Sequence, residues 1–399
     1  MNIAQLLENS VLALKQASKF NKKRLIFNSL QQRRGQHFLG IIGPRGVGKS
    51  VLLRQLAHDQ SNSIYISLDT LEQNLDLFEL LKTILEDYKI EHFFLDEVHH
   101  VKNFDSGLKK IYDFLDISIY FTSSIALAME KSKVDLARRV DMISLYPFSF
   151  YEYLIFTTEF VPKKTTLASL AKNSTEPSIV KYSSAFGKFL NGGNMPFALD
   201  EPNPFPLLEN ILEKILVSDI PKVYPVTYEE TSIMREAIKH VGLSEIDGIS
   251  YSSLSNNLKI TKYKAKQYVE ILESAFVLRQ IFPAGTNVTK EPKIVMALPY
   301  RSLFKKDSLG GIREDFFCEI AKVNHLELHY LKSKRGEKTP DFLVTHDDKK
   351  YVFEIGGKGK GRSQFKGIDF DANKIVLKDS SIPLKSGTPL LAWGLMDPY

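Results

Sequence analysis

Only one cysteine, Cys318, occurs among the 399 residues, and this scarcity bears on where the protein works. A single thiol cannot form an intramolecular disulfide, which suits a reducing compartment. No apolar run approaches the 18 residues that a membrane-spanning helix needs, and residues 1–5 lack the basic and then apolar order of a signal peptide. We therefore expect a cytoplasmic protein that has no membrane partner.

The chain also has little excess charge of either sign. Its formal net charge is +6, which permits binding to nucleic acid but does not require it. Basic residues are concentrated at 22–24, at 33–34 and between 331 and 366, where ten Lys and Arg accompany five Asp and Glu. Because most basic runs are only solvated surface, these clusters leave DNA binding open.

A phosphate-binding loop is the most specific pattern that the sequence contains. Residues 43–50 fit G-x-x-x-x-G-K-[ST], with an apolar run at 38–42 before them and a helical pattern after them, as the motif requires. In such a loop the backbone N–H groups point at phosphate oxygens, Lys49 reaches the β- and γ-phosphates, and Ser50 binds Mg²⁺. We predict that ATP and Mg²⁺ bind here through Gly43, Pro44, Arg45, Gly46, Val47, Gly48, Lys49, Ser50 and Val51.

An acidic motif follows at the end of the apolar segment 92–95, where Asp96 and Glu97 are adjacent. Hydrolysis of ATP needs a carboxylate that fixes the metal and a group that orients the attacking water. We predict that Asp96 binds Mg²⁺ through its water shell and that Glu97 polarises the nucleophilic water. In isolation, the same residues would be read as a buried strand that ends in a solvated pair of acids.

Strands and helices alternate along the first part of the chain. The apolar patterns predict strands at 38–42, 63–69, 92–97 and 117–121, and helices at 77–88 and 105–115. Alternation of this kind favours an α/β fold, with a parallel sheet covered on both faces and a ligand at the carboxyl ends of its strands.

Three hydroxyl side chains, Thr122, Ser123 and Ser124, follow the last of these strands. One of them, with Thr122 and Ser124 as the candidates, would contact the γ-phosphate from a neighbouring strand. An equally good interpretation is that they cap a helix that starts near Ile125.

Four short segments resemble those of a known family. They are Asp96 with Glu97, the segment 122–124, the Leu-Ala-Arg-Arg segment at 136–139 and the segment 145–152. The family comprises AAA-type ATPases of bacteria and archaea with a C-terminal DUF4143 region. That family usually has Leu-Ala-Gly-Arg in the third segment, so Arg138 here replaces its glycine and Arg139 takes the place of its arginine. The resemblance implies that Arg139 reaches a γ-phosphate, either in its own chain or in a neighbouring subunit of a homo-oligomer.

We expect four regions along the chain. They are a P-loop AAA-type ATPase domain at 1–160, a helical connector at 161–225, a winged-helix domain at 226–300, and a DUF4143-like domain at 301–399 with an α/β restriction-endonuclease-like fold.

The winged-helix expectation rests on three helical patterns and two strand patterns. The helices are predicted at 233–241, 251–258 and 261–272, and the strands at 275–281 and 293–296. Lys262, Lys264 and Lys266 lie near the start of the third helix, which is the position that a recognition helix would use to bind DNA. The alternative is that this segment is a packing or lid module of the ATPase.

The C-terminal region resembles the PD-(D/E)xK nuclease core. In a working site Asp341 and Glu354 would hold Mg²⁺ with help from Glu314, and a lysine two residues after the glutamate would orient water. That position is Gly356, and Lys358 lies about 6–7 Å further along an extended strand. We expect a degenerate domain that does not cut DNA.

These patterns predict an ATPase that uses Mg-ATP binding and hydrolysis for conformational switching, on or near DNA or on a protein partner. Two alternatives stay open. One is an ATP-controlled nuclease, and the other is a DNA-binding regulator that binds nucleotide with little turnover.

Overall fold

The chain forms two compact units in a computed structural model. The structure describes residues 2–33, 35–124, 136, 138–244, 249–285, 291–304, 309–331, 339–356, 365, 367–378, 387–397 and 399. The first unit comprises residues 1–146 with residue 399, and the second comprises residues 147–398. The first boundary therefore follows Tyr146 where the sequence predicted residue 160, and the three later regions belong to one unit.

The described part of the first unit has five helices around a five-stranded sheet. The helices are Ile3–Ala17 (α1), Phe27–Gln31 (α2), Lys49–His58 (α3), Leu77–Tyr88 (α4) and Phe104–Phe114 (α5). The strands are Phe38–Ile42 (β1), Ser63–Ser67 (β2), His92–Asp96 (β3), Ser118–Ser123 (β4) and Val140–Ser144 (β5). Their order is β2-β3-β4-β1-β5, and every pairing is parallel, so the predicted parallel sheet is confirmed.

Local sequence explains why these elements form. The strands β1 and β3 read as continuous apolar runs because both faces of a parallel sheet are covered, and Leu39, Ile41, Phe93 and Leu95 are fully buried. The helix α4 is capped by Asp76, whose carboxylate accepts hydrogen bonds from two backbone N–H groups of the first turn.

The order of the strands places the candidate site at one edge of the sheet. Strand β4 lies between β1 and β3. Because all five strands are parallel, the residues that follow β1 and those that end β3 and β4 meet at the same edge. We call this the carboxyl edge; it holds Gly43 after β1, Asp96 at the end of β3, and Thr122 and Ser123 at the end of β4.

The second unit is mixed. Its described helices are Phe150–Thr157 (α6), Leu167–Ala171 (α7), Ser183–Lys188 (α8), Phe205–Lys214 (α9), Ile220–Val223 (α10), Tyr228–Leu243 (α11), Tyr251–Leu258 (α12), Lys262–Ser274 (α13), Leu309–Val323 (α14) and Leu390–Trp393 (α15). Its described strands are Leu278–Ile281 (β6), Lys293–Met296 (β7), Glu327–Tyr330 (β8), Phe342–His346 (β9), Lys349–Gly356 (β10), Asn373–Lys378 (β11) and Thr388–Pro389 (β12). Strands β6 and β7 form an antiparallel pair, and β12-β11-β10-β9-β8 form a mixed sheet.

Three ion pairs connect helix α14 to the segments that precede it. Its carboxylates pair with cations of β6, β7 and the turn at 300–303, and the pairs are Arg279 with Glu319 at 3.3 Å, Lys293 with Glu314 at 2.8 Å, and Arg301 with Asp315. Buried charges of this kind must be paired, because a single partner left in the interior is strongly destabilising. The regions predicted as separate domains at 226–300 and 301–399 are therefore joined through α14.

Candidate nucleotide site

The phosphate loop has the backbone geometry that its glycines permit. Gly46 and Gly48 have φ values of 83° and 85°, a region that residues with a side chain rarely adopt. Gly48 is also the N-cap of α3, so the helix begins directly after it at Lys49. At Gly43 a Cβ atom would lie 2.1 Å from the carbonyl oxygen of Leu145, which leaves room only for glycine.

Lys49 is buried, and its side chain turns back into the phosphate loop. Its Nζ donates hydrogen bonds to the carbonyl oxygens of Gly43 at 2.8 Å and Pro44 at 3.0 Å. The ammonium group therefore lies inside the curve of the loop, and it can exchange these carbonyl contacts for phosphate oxygens.

Arg24 donates hydrogen bonds to the backbone of the phosphate loop and of Tyr146, a role that the sequence did not indicate. Its Nη1 donates to the carbonyl oxygen of Val47 at 2.8 Å, and its Nη2 donates to that of Tyr146 at 2.9 Å. The sequence placed Arg24 in a basic cluster of the kind that is usually solvated, but the side chain is buried. Charge alone could not distinguish this arginine from the exposed lysines beside it.

Asp96 is a buried carboxylate, 3% exposed, that accepts two hydroxyl hydrogen bonds. The Oη atom of Tyr65 donates to Oδ2 at 2.7 Å, and the hydroxyl of Thr122 donates to Oδ1. Burial and the nearby charge of Asp96 raise the pKa of Tyr65, so the phenol remains a donor. These donors come from β2 and β4, the strands on either side of β3.

Glu97 is held by Thr122 at the end of β4, by Ser124 directly after it, and by His99. Its backbone has φ 54° and ψ 51°, and its N–H donates to the Thr122 hydroxyl at 2.9 Å. Its Oε2 accepts from the backbone N–H of Ser124 at 3.0 Å and lies 3.3 Å from Nδ1 of His99. The Ser123 hydroxyl lies 3.1 Å from the same nitrogen.

Thr122 and Ser124 lie beside Asp96 and Glu97, as expected for residues at the same edge of the sheet. The Thr122 hydroxyl bridges the side chain of Asp96 and the backbone of Glu97. Ser124 contributes its backbone N–H to the carboxylate of Glu97. Contact of either hydroxyl with a γ-phosphate stays a prediction, and the helix expected near Ile125 lies outside the described residues.

Arg139 lies at the opposite edge of the same sheet. It directly precedes β5, and its carbonyl oxygen accepts from the N–H of Phe38 at the start of β1, about 15 Å from the loop at the far end of that strand. Its Nε and Nη2 donate to the two carboxylate oxygens of Asp113, each at 2.9 Å, and this guanidinium lowers the pKa of Asp113. In this position Arg139 lies away from the phosphate loop of its own chain, and its contact with the γ-phosphate of a neighbouring subunit stays a prediction.

The carboxylates of the predicted nuclease core come from three places in the chain: Asp341 directly precedes β9, Glu354 lies in β10, and Glu314 lies in α14. By strand alternation Glu354 shares a face of the sheet with Val352, which packs in a separate small cluster, whereas Phe353 packs against α14 on the other face. Glu314 is on α14 and pairs with Lys293. The help that Glu314 is expected to give Glu354 stays a prediction.

Asp341 is engaged by the backbone of the neighbouring strand. Its Oδ2 accepts the N–H of Ile355 at 2.7 Å. Among the described residues no group of three His, Cys, Asp or Glu side chains is arranged to hold a metal ion. The second metal site at Asp341 and Glu354 stays a prediction, and Lys358 lies outside the described residues.

The predicted helices and strands of the winged-helix segment are present as α11, α12, α13, β6 and β7, although a winged-helix identity stays a prediction. Each lysine near the start of α13 has a carboxylate partner, namely Glu291 for Lys262, Glu230 for Lys264 at 3.1 Å and Glu270 for Lys266 at 3.7 Å. The side chains of these lysines are about half exposed. The basic face expected here is therefore locally neutralised.

No helix in the described part of the chain is long and apolar enough to cross a membrane.

Two uncharacterized proteins of Methanocaldococcus jannaschii are similar to this chain over most of its length. MJ1637 is 26% identical over 94% of this chain and 89% of its own length. MJ1544 is 24% identical over 81% of this chain and 76% of its own length. The similarity therefore extends into the second unit.

Two solved structures give weaker likenesses. The ORC1 protein of Aeropyrum pernix in complex with DNA aligns with 76% of this chain and 92% of its own, at a TM-score of 0.29 and 10% identity. AMPPCP-bound DnaA from Aquifex aeolicus aligns with 67% of this chain and 88% of its own, at a TM-score of 0.23 and 14% identity. Such low TM-scores carry no conclusion about this chain.

Family models match two segments of the chain. Residues 184–297 match a domain of unknown function, DUF8612, and no match shows the DUF4143 region that the sequence resemblance implied. Residues 35–154 match a family described as AAA domain, and this segment contains the phosphate loop, the acidic motif and the strand between them. That match and the parallel five-stranded sheet support an AAA-type P-loop ATPase domain.

Proposed function

We propose that this chain binds Mg-ATP at the carboxyl edge of the first unit's sheet, hydrolyses it, and uses the cycle for conformational switching. The observation that carries the proposal is the position of the phosphate loop and of Asp96 and Glu97 on the two strands that flank β4. Because neighbouring strands are about 4.8 Å apart, the ends of β1 and β3 lie about 10 Å apart. A triphosphate seated on the loop would reach both carboxylates across β4.

The residues at this edge fit a magnesium ion. Asp96 offers a buried carboxylate that two hydroxyl donors orient, and Ser50 lies in the first turn of α3 directly after Lys49. Oxygen ligands of this type are those that Mg²⁺ prefers. When bound, the ion would neutralise charge on the β- and γ-phosphates.

Lys49 and Glu97 would perform the steps that belong to the protein. Lys49 would release the carbonyl oxygens of its own loop and donate to phosphate oxygens. Ser124 fixes one carboxylate oxygen of Glu97, so this side chain is oriented before a substrate binds. A carboxylate held in this way can accept a proton from the attacking water.

We further propose that the cycle acts on a protein partner or on DNA, and the second unit favours the protein. A DNA phosphate would have to displace a carboxylate from each lysine near the start of α13. Exposed ion pairs of this kind are individually weak, but the three lysines and their three carboxylate partners together carry no net positive charge. A packing role is therefore the better interpretation of helices α11 to α13. A DNA-stimulated rate of ATP turnover would reverse that preference.

Two substitutions test the nucleotide site. Lys49→Ala should abolish binding of a fluorescent ATP analogue, because it removes the cation that offsets the phosphate charge. Glu97→Gln should keep that binding while turnover falls by about 100-fold or more, because an amide cannot accept the proton. Lys82→Ala and Glu86→Gln, which alter an exposed pair on α4, are the matched controls.

The assay measures analogue binding and phosphate release with and without single- and double-stranded DNA, alongside solution mass with ATP and Mg²⁺. If the parent protein binds no ATP, the proposed function is wrong. If Glu97→Gln turns over ATP at the parental rate, Glu97 is not the base.

A further inference from the structure

The hydroxyl of Tyr65 contacts the carboxylate that would hold magnesium, and neither the sequence motifs nor the family match assigns it a role. Tyr65 lies in β2, where it pairs with Phe94 of β3, so Asp96 is its diagonal neighbour two residues further along. Diagonal neighbours on one face are within reach of an aromatic side chain. The Oη atom is 2.7 Å from Oδ2 of Asp96, and Tyr65 is 5% exposed.

Two helices fix the position of Tyr65. Its backbone N–H donates to the hydroxyl of Ser10 on α1 at 2.9 Å. The guanidinium carbon of Arg54 lies 5.1 Å from the centre of the tyrosine ring. Arg54 is four residues beyond Ser50 on α3, so it lies on the same face of the helix one turn later. Tyr65 therefore has a fixed direction from which to donate.

The Asp96 carboxylate receives one hydroxyl donor from each side. Thr122 on β4 donates to Oδ1, and Tyr65 on β2 donates to Oδ2. Two donors on different oxygens prevent rotation of the carboxylate about its bond to Cβ. One donor alone would restrain the carboxylate less, and the lone pairs that face the carboxyl edge would be less well oriented.

We propose that Tyr65 is a positioning residue for the magnesium site, acting through the orientation of Asp96. This inference rests on the proposed function, because it assigns Tyr65 to the metal site of the same reaction. Partners that orient a metal-ligating carboxylate typically contribute 10- to 100-fold in metal affinity. A tyrosine that only filled space between β2 and the helices would contribute nothing to metal affinity through its hydroxyl.

The test replaces Tyr65 with phenylalanine, which removes the hydroxyl and keeps the ring against Arg54. Tyr120→Phe is the matched control, because Tyr120 lies in β4 of the same sheet and its hydroxyl donates to the carbonyl oxygen of Leu30 at 3.4 Å, away from Asp96. The affinity for a fluorescent ATP analogue is measured in EDTA and along a Mg²⁺ titration. Electron paramagnetic resonance of Mn²⁺ in the same complexes reports the metal site directly.

In Tyr65→Phe we expect unchanged analogue affinity in EDTA and about 10-fold more Mg²⁺ for the half-maximal gain in affinity. The Mn²⁺ spectrum should change in this variant, while Tyr120→Phe should match the parent in every measurement. Parental Mg²⁺ dependence in Tyr65→Phe would overturn the inference and leave the proposed function standing. An equal loss of affinity in EDTA would also overturn it, because the effect would then lie in the fold. A parent protein without any Mg²⁺ effect would refute the proposed function and this inference together.

Discussion

Replacing Glu291 with glutamine should destabilise the second unit at neutral pH and much less near pH 2. Glu291 precedes β7 and caps helix α12, where its Oε2 accepts the N–H of Ser252 at 2.9 Å and its Oε1 accepts the hydroxyl of the same residue at 2.6 Å. Lys262 of α13 forms an ion pair with Oε1. Glutamine keeps the shape of this side chain but loses its charge.

The magnitude follows from the pKa of Glu291. Burial alone would raise this pKa, but the hydrogen bonds from Lys262 and Ser252 lower it from 4.5 to about 2. A difference of this size between the unfolded and folded states corresponds to about 3 kcal/mol. The side chain remains one-fifth exposed, so solvent screening reduces the expected free energy to about 1–2 kcal/mol.

The direction of the pH dependence is fixed by the sign of the shift. Because the folded state holds the ionised form, its stabilisation is fully present above pH 4.5 and is lost as the pH falls toward 2. The free-energy difference between the parent and Glu291→Gln should therefore be about 1–2 kcal/mol at pH 7, should fall to about half of that at pH 3, and should largely vanish near pH 2.

The single tryptophan makes this measurement specific to the second unit. Trp393 is fully buried in that unit, where its Nε1 donates to the carbonyl oxygen of Phe317. Urea unfolding followed by its fluorescence at several pH values gives the free energy of unfolding for the parent, for Glu291→Gln and for the exposed control Glu236→Gln. A free-energy difference that stays constant between pH 7 and pH 3 would show that the charge of Glu291 is not what stabilises this cap.

Two further predictions concern Arg139 and the C-terminal sheet. In the assembled protein Arg139→Ala should lower the kcat of ATP hydrolysis by about 10³-fold, as the loss of an arginine finger does. Replacing the exposed Arg138 with alanine should leave kcat unchanged. If neither substitution affects phosphate release, the segment is structural. With Mg²⁺ or Mn²⁺ the parent should cut linear or supercoiled DNA at no more than the background rate. Robust cleavage that both Asp341→Ala and Lys358→Ala abolish would contradict this expectation. It would show that Lys358 replaces the lysine absent at Gly356.

The fold of the first unit could be predicted well because its signals are local. Helix α4 begins and ends at Leu77 and Tyr88 as predicted, since the apolar residues recur at helical spacing and Asp76 supplies a cap. Strand β1 likewise matches its predicted range of 38–42. The arrangement of β4 between β1 and β3 was not predicted, because strand order depends on contacts between residues far apart in sequence.

Domain boundaries were harder to predict for the same reason. The polar stretch at 163–177 has the composition of a linker, yet Leu167 and Leu170 are buried in the core of the second unit. Phe150 of helix α6 also packs in that core, 5.0 Å from the ring of Phe186. Composition indicates where a chain is polar, whereas a boundary depends on which apolar residues meet, and that information is spread over the whole chain.

The candidate site contains residues that sequence motifs identify and residues that only the folded structure reveals. Lys49, Asp96 and Glu97 could be named from the sequence because phosphate binding and water activation require those residue types at a fixed place in a strand or loop. Arg24 and Tyr65 support these motifs from a distance along the chain, by contacts that no local pattern encodes. Arg24 donates to Val47 of the loop, 23 positions away, and Tyr65 donates to Asp96, 31 positions away. A motif therefore predicts which atoms take part in the chemistry, and the folded structure is needed to show which side chains hold those atoms in place.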